Sequence, residues 1–310
     1  MDTAEHHTPD GKDGKGERKG ERKGEGERER KGKGEGEGAA LSEAEEHEAE
    51  ERKHPRAQVL YETIRREGEY ELDRPASALA WSGFAAGLSM GFSLLAQGLL
   101  RAYLPEAPWA RLIVSLGYCV GFVVVIVARQ QLFTENTLTP VIPFLAHKDA
   151  RTLWKVLRLW SIVLVCNLAG TFAVAAALHS AHAFSDQVRD AFGAIARQAM
   201  EGSAAQHFAR AVFSGWLIAL MVWMLAGASA RAFVVIVISY IVGLGDLSHV
   251  IAGSTEAVYA ALDGELAPVA YFTRFVLPVG LGNVLGGVTL VALLAHAQIA
   301  ADEKQGSDVE

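Results

Sequence analysis

The sequence predicts an all-α membrane protein of six transmembrane helices, built as two inverted three-helix repeats with helices 2 and 5 broken. Three observations predict it. Residues 76–298 are overwhelmingly apolar, whereas residues 1–55 are almost pure Lys, Arg, Glu and Gly. Two long apolar runs are interrupted by polar and charged residues, at 130–136 (Gln131, Thr134, Glu135, Asn136) and at 243–249 (Asp246, Ser248, His249). Short patterns also recur in the same order in both halves. Read as ordinary loops, the interruptions would leave flanking runs too short for a hydrocarbon core of roughly 30 Å. Read as breaks, they place non-helical backbone where a bilayer tolerates it, buried in protein or lining a cavity.

Residues 1–55 have too few apolar side chains to offset chain entropy and read as a disordered, charged cytoplasmic tail. Glu nearly balances Lys and Arg there, so a solvated tail is favoured over a nucleic-acid arm. The charged start lacks the apolar segment of a cleavable signal. Residues 56–75 set Val59, Leu60 and Ile64 among Glu62, Arg65 and Arg66, the pattern of an amphipathic surface helix. The six-span membrane domain is 76–298. Its first span, 76–100, spaces Gly83, Gly87 and Gly91 by four, a smooth strip for close helix packing. A turn with Pro105 and Pro108 leads to the broken second span, 112–145. The third span is 157–178, followed by a polar connection over 179–210. The fourth is 211–228, the broken fifth 232–262, the sixth 269–295, and 299–310 is a second cytoplasmic tail. Basic residues near the span ends (Arg65, Arg66, Arg74, Lys148, Arg151, Lys155, Arg231) predict both termini in the cytoplasm. Cys119 and Cys166 fall inside apolar runs with no Cys or His at ligand spacing, so neither a disulfide nor a metal site is expected, and no cofactor.

The halves echo each other. Asn167-Leu-Ala-Gly170 in span three answers Asn283-Val-Leu-Gly286 in span six, and Trp81-Ser-Gly-Phe84 answers Phe213-Ser-Gly-Trp216. Thr134 precedes Asn167 by 33 residues and His249 precedes Asn283 by 34, which pairs Thr134 with His249. An odd number of spans per repeat inverts one half against the other, an architecture of transporters and channels.

On these residues, with Gln131-Leu-Phe-Thr134, Trp160 to Gly170, Ile218 to Met224, Pro278 and the Gly282-Asn283 run, the chain resembles the formate/nitrite transporter family over roughly 76–298. It is similar in particular to an uncharacterised inner-membrane branch. The resemblance implies an aquaporin-like fold and a homo-pentamer with a pore in each protomer. It also implies a bacterial inner-membrane location and passage of small monovalent anions such as formate or nitrite, with or without a proton. The family's central His falls on His249 and its break-loop Thr on Thr134. Tyr118 and Phe122 would form the outer apolar constriction, Leu132 and Val242 the inner one, and Asn167 and Asn283 would stand beside the pore. The chain departs from the family with Arg158 at a position usually Lys and Gly253 where an Asn is usual, and with Arg129, Glu135 and Asp246 beside the breaks.

A small anion crossing an apolar constriction loses hydration worth several kcal/mol. Half-helix N-termini at the breaks could supply fixed positive charge. Alternatively the anion crosses as its neutral acid, and the imidazole of His249 titrates in the right range for that. Charged side chains at membrane depth need partners, so Arg129 is expected to pair with Glu135 or Asp246. A pore for a small neutral solute and a non-transporting scaffold are the alternative functions. An enzyme is disfavoured, since no nucleophile–base pair or metal-ligand spacing is visible.

Overall fold

The computed structural model describes residues 57–180, 183–292 and 297, so the expected tails over 1–55 and 299–310 lie outside the described residues. The described elements are helical. They are α1 (Ala57–Asp73), α2 (Ala76–Tyr103), α3 (Ala110–Val127), α4 (Val141–His147), α5 (Ala150–Ser180), α6 (Asp186–Ala199), α7 (Ala204–Leu225), α8 (Arg231–Leu244), α9 (Ala252–Leu262) and α10 (Pro268–Thr289). Among the described residues α2, α3, α5, α7 and α10 are long and apolar enough to cross a membrane; α8 is apolar and has 14 residues.

Both expected breaks are present. Helix α3 ends at Val127 and helix resumes only at Val141, with one tight turn at Glu135–Thr137 between. Helix α8 ends at Leu244 and α9 begins at Ala252. Each break starts on a non-glycine residue in the left-handed region, Arg129 (φ 54) and Asp246 (φ 48). A left-handed residue stops a helix because its next N–H no longer points back along the axis.

An asparagine from a neighbouring span satisfies the freed backbone of each break. Asn167 of α5 accepts from Phe133 N (2.9 Å) and donates to Gln131 O (2.9 Å) and Gly83 O (2.7 Å). Asn283 of α10 accepts from Val250 N (2.9 Å) and donates to Ser248 O (3.1 Å) and Ala211 O (2.9 Å). The matched bonds put Gln131 against Ser248 and Phe133 against Val250. The residue matching His249 is therefore Leu132, and the pairing of Thr134 with His249 taken from spacing is corrected. The two asparagines follow their clamped N–H groups by 34 and 33 residues, a one-residue difference that shifts any count made backward from them.

The glycine strip does what its spacing predicts. A Cβ on Gly87 would lie 2.1 Å from the Asn167 carbonyl oxygen, and one on Gly170 2.4 Å from that of Phe84. In the second half Gly215 meets the Asn283 carbonyl and Gly286 that of Val212, at 2.3 and 2.1 Å. Small residues thus bring α2 onto α5, and α7 onto α10, at backbone contact.

Two features depart from expectation. The stretch read as a polar connection carries α6, whose Val188, Phe192, Ile195 and Ala196 are buried against α2 and α9. Its Phe192 ring occupies the space a side chain on Gly98 would need. Helix α10 is also irregular. Pro278 lacks an N–H and crowds the carbonyl four residues back, and the turn before it, Tyr271–Val276, opens to π geometry.

Helix α1 covers the first break. Gly68 lies so close to Thr139 O that a Cβ would be 2.2 Å away, and Arg129 donates to Glu67 at 3.2 Å. Arg65 and Arg66 hold the Glu62 carboxyl down to about 2 through hydrogen bonds. Those ties are complete above pH 4.5 and are lost only as pH falls toward 2. Gly68→Val is expected to lift α1 from the break, making the Arg65–Arg66 bond at least ~10-fold more sensitive to trypsin, since cleavage tracks the open population. Wild-type sensitivity in that variant would show that α1 is not seated through Gly68.

Candidate functional site

The two breaks meet at His249 and Thr134. His249 Nε2 lies 2.7 Å from Thr134 Oγ1, both residues being buried. The backbone N–H of Ala252 donates to His249 Nδ1 at 3.1 Å. A nitrogen that accepts carries no proton, so the neutral ring bears its hydrogen on Nε2 and donates to Thr134. The side chain thereby caps the first turn of α9 and joins the breaks in one contact. Thr134 keeps its own hydroxyl hydrogen for another acceptor.

Aromatic and aliphatic side chains close around this pair. Phe122 stands edge-on to the His249 ring with centroids 5.0 Å apart, and Tyr118 leans on Phe122 at 5.4 Å. Phe122, Leu132 and Val242 are fully buried, and Tyr118 nearly so. The four residues expected to constrict a passage thus sit in the core around the break junction. Asn167 and Asn283, expected beside the pore, are the break clamps; their side-chain groups are occupied by backbone.

On one side of the junction a cavity of about 530 Å³ opens. Its floor includes His249, Tyr118, Val242, Gly253 and Phe275. Gly253 matters here, since a Cβ would strike the Phe275 ring at 2.4 Å. Around the mouth stand Arg101, Glu106, Arg111, Arg210 and Asp246. Helix α6 supplies part of the wall with Ile195 and Gln198. Gln97 (9 % exposed) and Glu256 (8 %) line its buried part together with Ser115 and Ser248.

The charged residues are distributed differently from the expectation. Arg129 does not pair with Glu135 or Asp246; it is exposed and bonded to Glu67 of α1. Asp246 pairs with Arg111 at 2.5 Å, and Arg111 also donates to Leu244 O at 2.7 Å. The reason is length. Arg111 begins α3 and Arg129 follows its end, so 18 residues at 1.5 Å each hold the two sites roughly 27 Å apart. Each cation therefore takes the carboxylate at its own end. Glu135 is half-buried beside the first break, outside the cavity, and Arg158, half-buried, donates to Arg74 O at 3.0 Å. Neither lines the cavity that ends on His249.

Three participants were missed from sequence. His207, buried, lies 3.2 Å from Ser248 Oγ and edge-on to Phe275. Phe275 reaches the floor from the π stretch of α10, for which Pro278 was the available signal. Gln97 stands alone among apolar residues in the first span, and nothing in the sequence ties it to Glu256. Among the described residues no group of three or more His, Cys, Asp or Glu could hold a metal ion.

Known proteins resemble the chain in sequence and in fold. A family model described as Formate/nitrite transporter matches residues 58–297. The chain is 44 % identical over 254 residues to the inner membrane protein YfdC of Escherichia coli K12, covering 82 % of each chain. It is 26 % identical over 261 residues to the formate channel BtFdhC of Bacillus thuringiensis, covering 81 % of this chain and 97 % of that one. Among solved structures it resembles a pentameric formate channel with formate bound, with TM-score 0.62 at 20 % identity, over 73 % of this chain and 98 % of that one. An ion channel described as of the FNT family superposes with TM-score 0.63 at 19 % identity, over 76 % and 96 %.

Proposed function

The chain belongs to the formate/nitrite transporter family, and from that premise we propose that it is a multi-pass inner-membrane channel or proton-linked transporter for small monovalent weak-acid anions of the formate and nitrite kind. The pore runs through each protomer of a homo-pentamer. In this reading α2, α3–α4, α5 and α7, α8–α9, α10 are six spans in two inverted repeats of aquaporin-like form, with both termini cytoplasmic. The matched asparagine clamps support the repeat, and the basic residues around α1 and the start of α5 support the orientation.

The observation that carries the proposal is the junction of the two breaks. A cavity leads to His249 and stops where that ring meets Thr134 among Phe122, Leu132 and Val242. A bare anion entering this floor would lose its hydration shell with no cation to replace it. A small neutral acid meets one ring, one hydroxyl and apolar walls. The Arg side chains at the mouth attract the anion, and the species that passes the floor is the acid.

Purified protein in liposomes tests this. Formate, nitrite and acetate uptake is expected to exceed that of empty liposomes and to rise as external pH falls from about 8 to about 6. Glycerol, which gains nothing from the mouth cations, is expected at the background rate. Glycerol flux above formate flux would make the protein a neutral-solute pore. No flux of any of the four would make it a scaffold.

A further inference from the structure

We propose that Glu256 is the group that exchanges a proton with the permeant in the cavity, and that Gln97 holds the permeant's second oxygen while it does so. This deepens the weak-acid reading above and rests on it.

His249 is poorly placed for the exchange. Its Nδ1 already accepts from Ala252 N–H, its Nε2 faces Thr134, and Phe122 stands against the ring. A proton added at Nδ1 would set donor against donor and uncap α9. Glu256 is differently placed. It lies seven residues on, in the same cavity, buried to 8 % exposure, and no ion pair holds it among the described residues. Isolated buried carboxyls are costly unless they serve a ligand or a proton. Gln97 supplies the independent observation. Its Nε2 is buried and makes no hydrogen bond among the described residues, although the Glu256 carboxyl is close enough to interact with it. Both groups have capacity for a third partner.

A monocarboxylate fits that pair. One of its oxygens accepts from Gln97 Nε2 and the other accepts from the protonated Glu256 carboxyl. The Glu256 O–H bond breaks as the permeant's O–H bond forms, leaving a Glu256 carboxylate and a neutral acid. The carboxylate regains its proton from water in the cavity mouth, and export runs the same steps in reverse. No electrons move.

The surroundings set the direction of approach. Arg101 from α2 and Arg210 from α7 face the cavity at its mouth, with Glu106 between α2 and α3. Arg111 is tied to Asp246, so that pair contributes little net charge. Deeper in, the ionisable neighbours of Glu256 on the cavity wall are Tyr118 of α3 and His249; α6 presents Gln198, and α5 and α10 contribute no ionisable group to the wall. An anion is thus drawn past cations, meets a carboxyl in an uncharged wall, and goes on as an acid.

The test is formate uptake into liposomes holding the full chain, driven by an inward proton gradient and read with labelled formate and an internal pH dye. Glu256→Gln keeps shape and polarity but cannot give up a proton. It is expected to lose at least ~10-fold in proton-driven uptake at wild-type oligomer size and yield. Gln97→Leu is expected to raise the half-saturating formate concentration several-fold and to lower the maximal rate less than Glu256→Gln does, with the proton dependence retained. Should Glu256→Gln fail to assemble, Glu256→Asp, which withdraws the carboxyl by one methylene, is expected to slow uptake with its pH profile shifted.

Uptake by Glu256→Gln at the wild-type rate and pH profile overturns the assignment while leaving the transport reading intact, as does faster uptake, which would mean the carboxyl merely repels the anion. Methylammonium uptake by the wild type that Glu256→Gln abolishes would make this a cation site and also overturn it. Wild-type liposomes closed to formate, acetate and nitrite overturn both readings.

Discussion

An Asn283→Leu protein is expected to melt on the order of 10 °C below the wild type in detergent, with most of the chain lost from the membrane extract. Leu matches the volume, so packing changes little. What is lost is the clamp. Asn283 alone satisfies Val250 N–H from a side chain and donates to Ser248 O and Ala211 O, in a region where no water is at hand to replace it. A buried polar group deprived of its partner costs about 1–3 kcal/mol. Val250 N–H and Ser248 O are left bare while Ala211 O keeps its place inside helix α7, so the loss is roughly 2–6 kcal/mol, against a total stability of about 5–15. Asn167→Leu strips Phe133 N, Gln131 O and Gly83 O in the same way and is expected to fall as far. Asn283→Asp separates the terms, since it keeps the acceptor for Val250 N and loses both donors. Differential scanning fluorimetry on the purified variants reads the result. A melting point within about 2 °C of the wild type for Asn283→Leu would mean that the break is held by packing, and that the matched clamps are incidental.

Those asparagines show what was legible in the sequence and why. A polar residue recurring before a glycine in two apolar spans has few inexpensive reasons to exist, so Asn167 and Asn283 could be singled out with no structure in hand. The same holds for the two interruptions, for the Gly83, Gly87 and Gly91 strip, and for His249 and Thr134, which meet in space although 115 residues separate them. The exact register was not legible. The clamps match Leu132 to His249, whereas counting back from the asparagines shifts the counterpart by one residue to Phe133, and Thr134 lies one further still. Nor were the ion pairs, because proximity to a break in sequence says nothing of which end of α3 the break lies against. Arg129 and Asp246 sit at matched left-handed positions and carry opposite charge, yet the helix between their partners keeps them apart. Helix α6 was hidden by its surface: Asp186, Gln187, Arg189, Asp190, Arg197 and Gln198 mask a narrow apolar face of Val188, Phe192 and Ile195. Glu256 was partly legible: seven residues after His249 it shares that helix face, which suits either the outer vestibule or a neighbouring subunit, and the cavity in front of it is what distinguishes the two.

His249→Asn is expected to leave the protein folded and to stop most of its transport. The two nitrogens of His249 perform separable tasks. Nδ1 accepts from Ala252 N–H, three residues on, the geometry of a helix N-cap, and Asn is among the best capping residues. The shorter side chain can keep that bond, so α9 should start where it does now and yield and oligomer size should hold. The amide does not extend to Thr134, so the 2.7 Å contact across the two breaks is lost. The Thr134 hydroxyl is then no longer held by the ring at the point where the permeant leaves water, and formate uptake is expected to fall ~10-fold or more, a modest loss for one positioned hydrogen-bonding group beside a species being desolvated. His249→Phe loses the cap as well, costing about 1 kcal/mol of stability, and is the poorer probe because its bulk alone could obstruct the floor. Thr134→Val removes the acceptor and leaves Nε2–H unpaired, so its uptake should fall to a similar level. Because both substitutions break one contact, the double variant should be no slower than the slower single variant. Losses that multiply in the double variant would mean that the two side chains act on the permeant independently. Wild-type uptake and an unchanged pH profile in His249→Asn, for every permeant tested, would make the ring a helix cap and nothing more.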